Sequence, residues 1–160
     1  MKLSELKEPS DIAQVIDLAM TFHRESDFAD MDFDSLIFAE TVAQCVLSDN
    51  ACAYVVKKRE RQGESIIGFI GASVERCNFG NDFISYDQAL YVDPRYRGVH
   101  GYLAAQLLLK AYIRWAQRKN VKRIFYNITA GVNNQRAIEV IKQAGFIECG
   151  RCLVWRDVHG

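Results

Sequence analysis

A stretch of helical periodicity held between two extended runs constrains this chain more than any other feature. Across residues 102–119, Ala104, Leu107, Leu108, Ala111, Tyr112 and Trp115 fall on one stripe of a long helix. Phe83 to Val92 before it and Val121 to Thr129 after it read as strands. Strand, long helix, strand is a βαβ unit, so the two strands should lie parallel, joined by a right-handed crossover. Ahead of this unit, Ala51 to Lys57 and Ile66 to Val74 read as strands separated by RERQGE, and CNFGND turns the chain into Phe83. That is an antiparallel meander, and the sheet is expected to be mixed.

The meander follows two helices. Pro9, Ser10 and Asp11 are start signals for a helix carrying Ile12, Val15, Ile16 and Ala19 on one face. The polar loop HRESDFADMD comes next, and Asp34 can cap a second helix that runs to about Leu47 and closes at Ser48, Asp49 and Asn50. Near the other end, Ala137, Val140, Ile141 and Ala144 share a helical face. There Gly145 suits the left-handed cap position and Phe146 can fold back on Ile141 in a Schellman arrangement. Phe146 to Val158 is read as the closing strand or pair of strands.

A chain of 160 residues with 49% hydrophobic composition fits one domain over residues 1–160. Twenty basic and twenty acidic side chains leave no net charge to draw nucleic acid or an anionic membrane, so any basic site must be local. The start, MKLSELKEPSD, lacks a signal-type apolar core and no apolar stretch approaches a membrane span; a soluble, cytoplasmic protein is the expectation. Of the five cysteines, Cys149 and Cys152 form a CxxC. Zinc would require a second ligand pair, the histidines (His23, His100, His159) are scattered, and a redox pair would normally open a helix. Reduced structural thiols and no metal are expected.

The local basic site is YVDPRYRGVHGYL, residues 91–103. Asp93 and Pro94 stop the strand, and the long helix starts within a few residues of Gly98. A glycine turn feeding a helix N-terminus exposes unpaired backbone NH groups at the positive end of the helix dipole, which favours phosphate; Arg95 and Arg97 add charge. An ordinary strand-to-helix turn with solvated arginines has the same spacing. The stretch matches neither GxxxxGK[ST] nor GxGxxG.

The segments ALYVDPRYRG, RWAQRKNVKRI within the long helix, and NNQRAIEVIKQAGF, in that order and spacing, resemble the central motifs of the GNAT superfamily of acyl-CoA-dependent N-acetyltransferases. The match spans about residues 83–150, and in style the chain is similar to small GNAT proteins of phage genomes. The resemblance implies an α/β (α+β) fold: a mixed, mostly antiparallel sheet of six to seven strands with a central βαβ unit and helices on both faces. It implies acetyl-CoA as acyl donor, an amine acceptor, and transfer of the acetyl group directly to a primary amine of a small molecule or protein. The backbone of Leu90, Tyr91 and Val92 would pair with pantetheine. Arg97 and Gly98 match the start of the family's pyrophosphate loop, with Val99, His100, Gly101 and Tyr102 continuing it, and Asn134 matches the family asparagine at the start of the next helix.

Two departures accompany these matches. His100 and Tyr102 stand where simple alignment expects glycines, which sets the helix core about three residues farther along and implies a longer or differently shaped loop. Ile141 stands where the family often has the tyrosine that protonates the departing CoA thiolate. Tyr126 or Tyr102 are substitutes, and a thiol of pKa about 8.5 is also a fair unassisted leaving group. Packing is the other reading of both tyrosines.

Direct transfer needs a neutral amine and hence a base. Asp87 is the carboxylate on the strand before the loop within reach of the acyl end, with Tyr86 and Gln88 on the opposite face by alternation. Glu25 and Ser26 lie in the loop that resembles the family's acceptor wall, where Asp27, Asp30, Asp32 and Asp34 would attract a cationic amine; a plain polar interhelical loop is the alternative. His23 and His100 are weaker candidates for the base. A non-catalytic acyl-CoA-binding or protein-interaction module is the competing function, motivated by Ile141 and the altered loop. An exposed final strand would offer its edge to a second copy as a homodimer.

Overall fold

The computed structural model describes residues 1–61, 63–128 and 134–150, without the side chain of Asn134. Five strands, β1 (Lys2–Glu5), β2 (Ala51–Glu60), β3 (Gly63–Arg76), β4 (Phe83–Val92) and β5 (Arg123–Phe125), form one sheet in chain order. The first four pair antiparallel and β4 pairs parallel with β5. The mixed sheet with its βαβ unit is therefore present. Its described strands number five rather than six to seven, and they differ from the expected set at three places. β1 adds a strand that KLSE, with no apolar alternation, did not announce; backbone pairing to β2 holds it. β5 is shorter than expected because the chain leaves β4 after Phe125. Residues 146–150 carry no regular structure, and the rest of the expected closing segment lies outside the described residues.

Helices α1 (Pro9–Glu25) and α2 (Ser35–Leu47) cover one face of the sheet, and α3 (Val99–Arg118) and α4 (Asn134–Gln143) lie on the other side. Pro9 occupies the first turn of α1, where its missing NH costs nothing. Asp34 caps α2 as expected, its Oδ1 accepting from the Leu36 and Ile37 amides at 2.7 and 3.3 Å. At the end of α4, Gly145 has φ of 100° and the Phe146 amide reaches the Ile141 carbonyl at 3.4 Å, the expected Schellman closure.

Each face buries its own core. Under α1 and α2 lie Val15, Leu18, Ala19, Val42, Val55, Ile66, Phe69 and Tyr91; under α3 lie Tyr54, Val56, Ile67, Ile70, Ala72, Leu108, Tyr112 and Trp115. Val55 and Val56, adjacent on β2 and both fully buried, show the two-sided burial of a central strand.

Buried polar groups fasten the βαβ unit. The Tyr112 hydroxyl donates to the Phe125 carbonyl at 3.0 Å and lies 3.1 Å from Ser85 Oγ, which reaches the Ser73 carbonyl at 2.8 Å. One α3 side chain thus bonds the short β5 and touches β4. Tyr112→Phe leaves the Phe125 carbonyl without that donor, and a loss of about 1 to 3 kcal/mol is expected in urea unfolding. An unchanged midpoint would show that β5 is held by its ladder alone.

Candidate active site

The site begins with a bulge. β4 pairs with β3 as Ala89 with Gly71 and Asp87 with Ala72, so Gln88 has no partner and the alternation slips by one residue. Gln88 and Ala89 consequently both turn toward α1 and α2: the Cys45 thiol donates to Gln88 Oε1 at 2.9 Å, and Ala89 packs in the core beneath those helices. Asp87 shares the α3 face with Leu90 and Val92. Without the bulge, Asp87 would have faced the same way as Ala89 and Tyr91.

β4 and β5 then part. Their ladder covers Ile84 to Tyr86 against Arg123 to Phe125 and stops. Just beyond its end, the Asn127 main-chain amide donates to Asp87 Oδ1 at 2.8 Å. Beyond that bond a cleft opens. Its smaller part, about 170 Å³, is lined by Phe22, Asp87, Tyr91, Arg97, Tyr126 and Asn127 among others. A larger cavity of about 490 Å³ continues toward α3 and α4, past Gly98, Gly101, Tyr102, Ala105, Val140 and Ile141. Leu90, Val92, Arg97, Tyr126 and Ala137 line both.

The basic stretch closes one end of this cleft. Asp93 caps a 3-10 turn, Pro94–Tyr96, and is tied to Arg95, whose NH2 lies 2.6 Å from Oδ2. Gly98 follows with φ of 102° and ψ of −144°, a conformation essentially confined to glycine, and it is the N-cap of α3 without any side-chain cap bond. The first helical bond runs from the Tyr102 amide to the Gly98 carbonyl at 2.9 Å. α3 therefore starts at Val99, three residues before the expected Tyr102. The expectation of a longer loop is corrected: Val99, His100, Gly101 and Tyr102 form the first turn, because Gly98 reverses the chain in one step. The NH groups of Val99, His100 and Gly101 precede that first bond at the positive end of the helix dipole. Gly101 is needed for closeness: a Cβ there would lie 2.9 Å from the Tyr96 carbonyl oxygen.

Burial raises the Asp87 pKa from 3.8 to about 6, against the lowering effect of the Asn127 and main-chain hydrogen bonds. Tyr126 also has a raised pKa, first through burial and then through the nearby Asp87 charge, and its ring packs edge-on against Phe146 at 6.1 Å. A carboxylate titrating near neutrality and a phenol that stays protonated thus face one cleft.

Glu25, the last residue of α1, accepts from the Tyr91 hydroxyl at 2.8 Å and forms an ion pair with Arg97, whose NH2 also lies 3.3 Å from the Tyr91 oxygen. Burial, followed by the Glu25 contact, pushes the Tyr91 hydroxyl pKa up. Ser26, by contrast, is taken up in local structure: its hydroxyl bonds the His23 carbonyl at 2.8 Å and accepts from the Phe28 amide. Of the acidic loop, Asp34 is occupied as the α2 cap. Tyr102 donates to Gln143 Oε1 at 2.8 Å and bridges α3 to α4. Asn134 begins α4. Phe22 on α1, Asn127 after β5, and Arg136 and Ala137 on α4 also line the cleft, and no local signal in the sequence marks them for it, since these segments meet only in the tertiary structure.

Comparison of the sequence with known families gives one match over most of the chain. Residues 12–146 fit the model of the acetyltransferase (GNAT) family, and the chain belongs to that family. Among solved structures it is similar to the aminoglycoside 6'-N-acetyltransferase AAC(6')-Iy in complex with a CoA-containing bisubstrate analog, with TM-score 0.68, 19% identity, and coverage of 98% of this chain and 97% of that one. AAC(6')-IG from Acinetobacter haemolyticus gives 0.67 at 14% identity, covering 98% of each chain. A mutant form of the BH1408 protein from Bacillus halodurans gives 0.73 at 16%, covering 99% of each. No curated protein matches by sequence. At these identities the structures establish a common fold.

Gly98→Ala tests the start of α3. Forcing a side chain into that conformation is expected to cost about 1 to 3 kcal/mol in urea unfolding. A variant as stable as the parent would mean that the reversal tolerates a Cβ.

Proposed function

We propose that the protein is an acetyl-CoA-dependent N-acetyltransferase that transfers the acetyl group directly to a primary amine of a small molecule or protein. The observation that carries this reading is the single cleft into which the unpaired edge of β4, the N-terminus of α3, Asp87 and Tyr126 all open. The cavities fit the cosubstrate. Among the described residues Leu90 to Val92 pair only with β3, which would leave the other backbone edge to a pantetheine-like chain, and the glycine-started α3 with Arg97 offers NH donors and charge to phosphates. When bound, acetyl-CoA supplies a thioester carbonyl for attack by the amine and a thiolate leaving group.

The chain's own residues divide the proton work. Asp87, ionised above about pH 6, is the proposed base for the acceptor ammonium, and the Asn127 amide holds its carboxylate at the point where the strands part. Tyr126, kept protonated by burial, is the proposed donor to the departing sulfur. Ile141, buried against the larger cavity, brings no proton there. Acidic residues of the α1–α2 connection favour a cationic acceptor, and aminoglycoside acetyltransferases among the structural neighbours make multiply charged amines the first compounds to try.

Thermal-shift titration with acetyl-CoA and CoA is expected to raise the melting temperature with either, whereas NAD should leave it unchanged. Absence of a shift with both CoA species would sink the proposal. Thiol release across a panel of aminoglycosides, polyamines and proteins then finds the acceptor; silence across the panel would favour a CoA-binding module.

Asp87→Asn is expected to lower kcat/KM by about 100-fold or more and to remove an ascending limb near pH 6. A limb that survives the substitution belongs to another group. Stability should respond oppositely. The folded pKa lies above the unfolded value near 3.8, so the stabilising contribution of this carboxyl is complete below pH 3.8 and lost as pH rises through about 6. The melting temperature of Asp87→Asn should therefore gain on the parent between pH 4 and 7.

A further inference from the structure

The ion pair at the mouth of the cleft joins its two sides. Arg97 lines both cavities, yet its guanidinium is drawn to the α1 side, where it pairs with Glu25 and lies 3.3 Å from the Tyr91 oxygen. Glu25 has two partners among these residues, Tyr91 at 2.8 Å and Arg97, and its side chain links the end of α1 to the loop before α3. The Glu25 and Arg97 side chains remain 24% and 39% exposed, so water already screens the pair. An ion pair of that exposure contributes little to stability, and exchanging its partner is correspondingly easy. A pyrophosphate at the N-terminus of α3 would carry more charge than one carboxylate and could take the guanidinium bidentately.

We propose that Glu25 is the internal counter-ion of the cofactor site: phosphate displaces it from Arg97, and the freed carboxylate, held by Tyr91, becomes the anchoring point for an ammonium group of the acceptor. This rests on the acetyltransferase reading above and adds to it a specificity residue and an order of events. Before the cofactor arrives, Arg97 neutralises Glu25 and repels a cation from the α1 side of the cleft. After it arrives, Glu25 keeps one neutral donor, the Tyr91 hydroxyl, and a net negative charge facing that side. Cofactor and cationic acceptor then favour each other's binding, and the coupling is reciprocal. Phe22, one turn earlier on α1, lines the same smaller cavity as Asp87, so an ammonium anchored on the α1 side would face the proposed base across that cavity.

Calorimetric titration with CoA tests the displacement. Glu25→Gln removes the competitor for Arg97 and is expected to tighten CoA about two- to fivefold, in line with the loss of a partly exposed ion pair. Arg97→Ala should weaken CoA at least tenfold, and in that background Glu25→Gln should bring no gain. Unchanged affinity in Arg97→Ala would overturn the assignment of the cofactor loop itself. Weakening by Arg97→Ala without tightening by Glu25→Gln, or an equal gain from Glu25→Gln in both backgrounds, would overturn only the exchange, the latter because it signals direct repulsion. Spermidine, a linear cationic triamine, tests the anchoring: saturating CoA should tighten its binding in the parent and leave it unaffected in Glu25→Gln. Equal spermidine affinity with and without CoA in the parent refutes the coupling.

Discussion

The site depends on one unfinished strand pair. β4 and β5 run together for three residues and then separate, and the Asp87 side chain accepts from the Asn127 main-chain amide just beyond that point. That bond sits where the ladder ends, so the end of the ladder and the position of the candidate base are tied together. The open edge of β4, the cavity behind it and the access to Tyr126 all follow from that separation.

Two local devices make it possible. The bulge at Gln88 rotates Asp87 onto the α3 face and leaves Tyr91 on the α1 face, so one strand serves both sides of the cleft. Gly98 lets the chain turn from β4 into α3 within the space of a single 3-10 turn, and Gly101 permits the first turn of α3 to sit against the Tyr96 carbonyl. Small residues here trade side-chain packing for backbone approach, and the result is a helix start beside the cleft whose first NH groups have no intrahelical partner.

Electrostatics are arranged by burial as much as by charge. Asp87 titrates near neutrality because burial opposes ionisation more strongly than its hydrogen bonds favour it. Arg97 and Glu25, partly open to water, pair with each other at the mouth of the cleft. The chain as a whole is neutral, so the polarity of the cleft is a local construction. Among the described residues no helix is long and apolar enough to cross a membrane.

Much of this architecture was legible in the residues. The stripe of Leu108, Tyr112 and Trp115 between two extended runs determined the βαβ unit, Asp34 and Gly145 determined helix ends, and Arg97 and Gly98 marked the helix start in question, because each acts over a few neighbouring positions. KLSE gives no strand signal, since β1 is held by backbone pairing with β2 across some fifty residues and carries no periodicity of its own. The start of α3 was misplaced because Val99 to Gly101 have no side-chain cap, and only the φ of Gly98 reveals where the helix begins. Asp87 was a candidate by its place on β4, but its face was decided by the bulge, its pKa by burial, and its partner Asn127 by the point where β5 turns away. Sequence determined the elements through local and periodic physics. Tertiary structure decided where the strands part, because that balance of pairing and burial is struck between segments far apart in the chain.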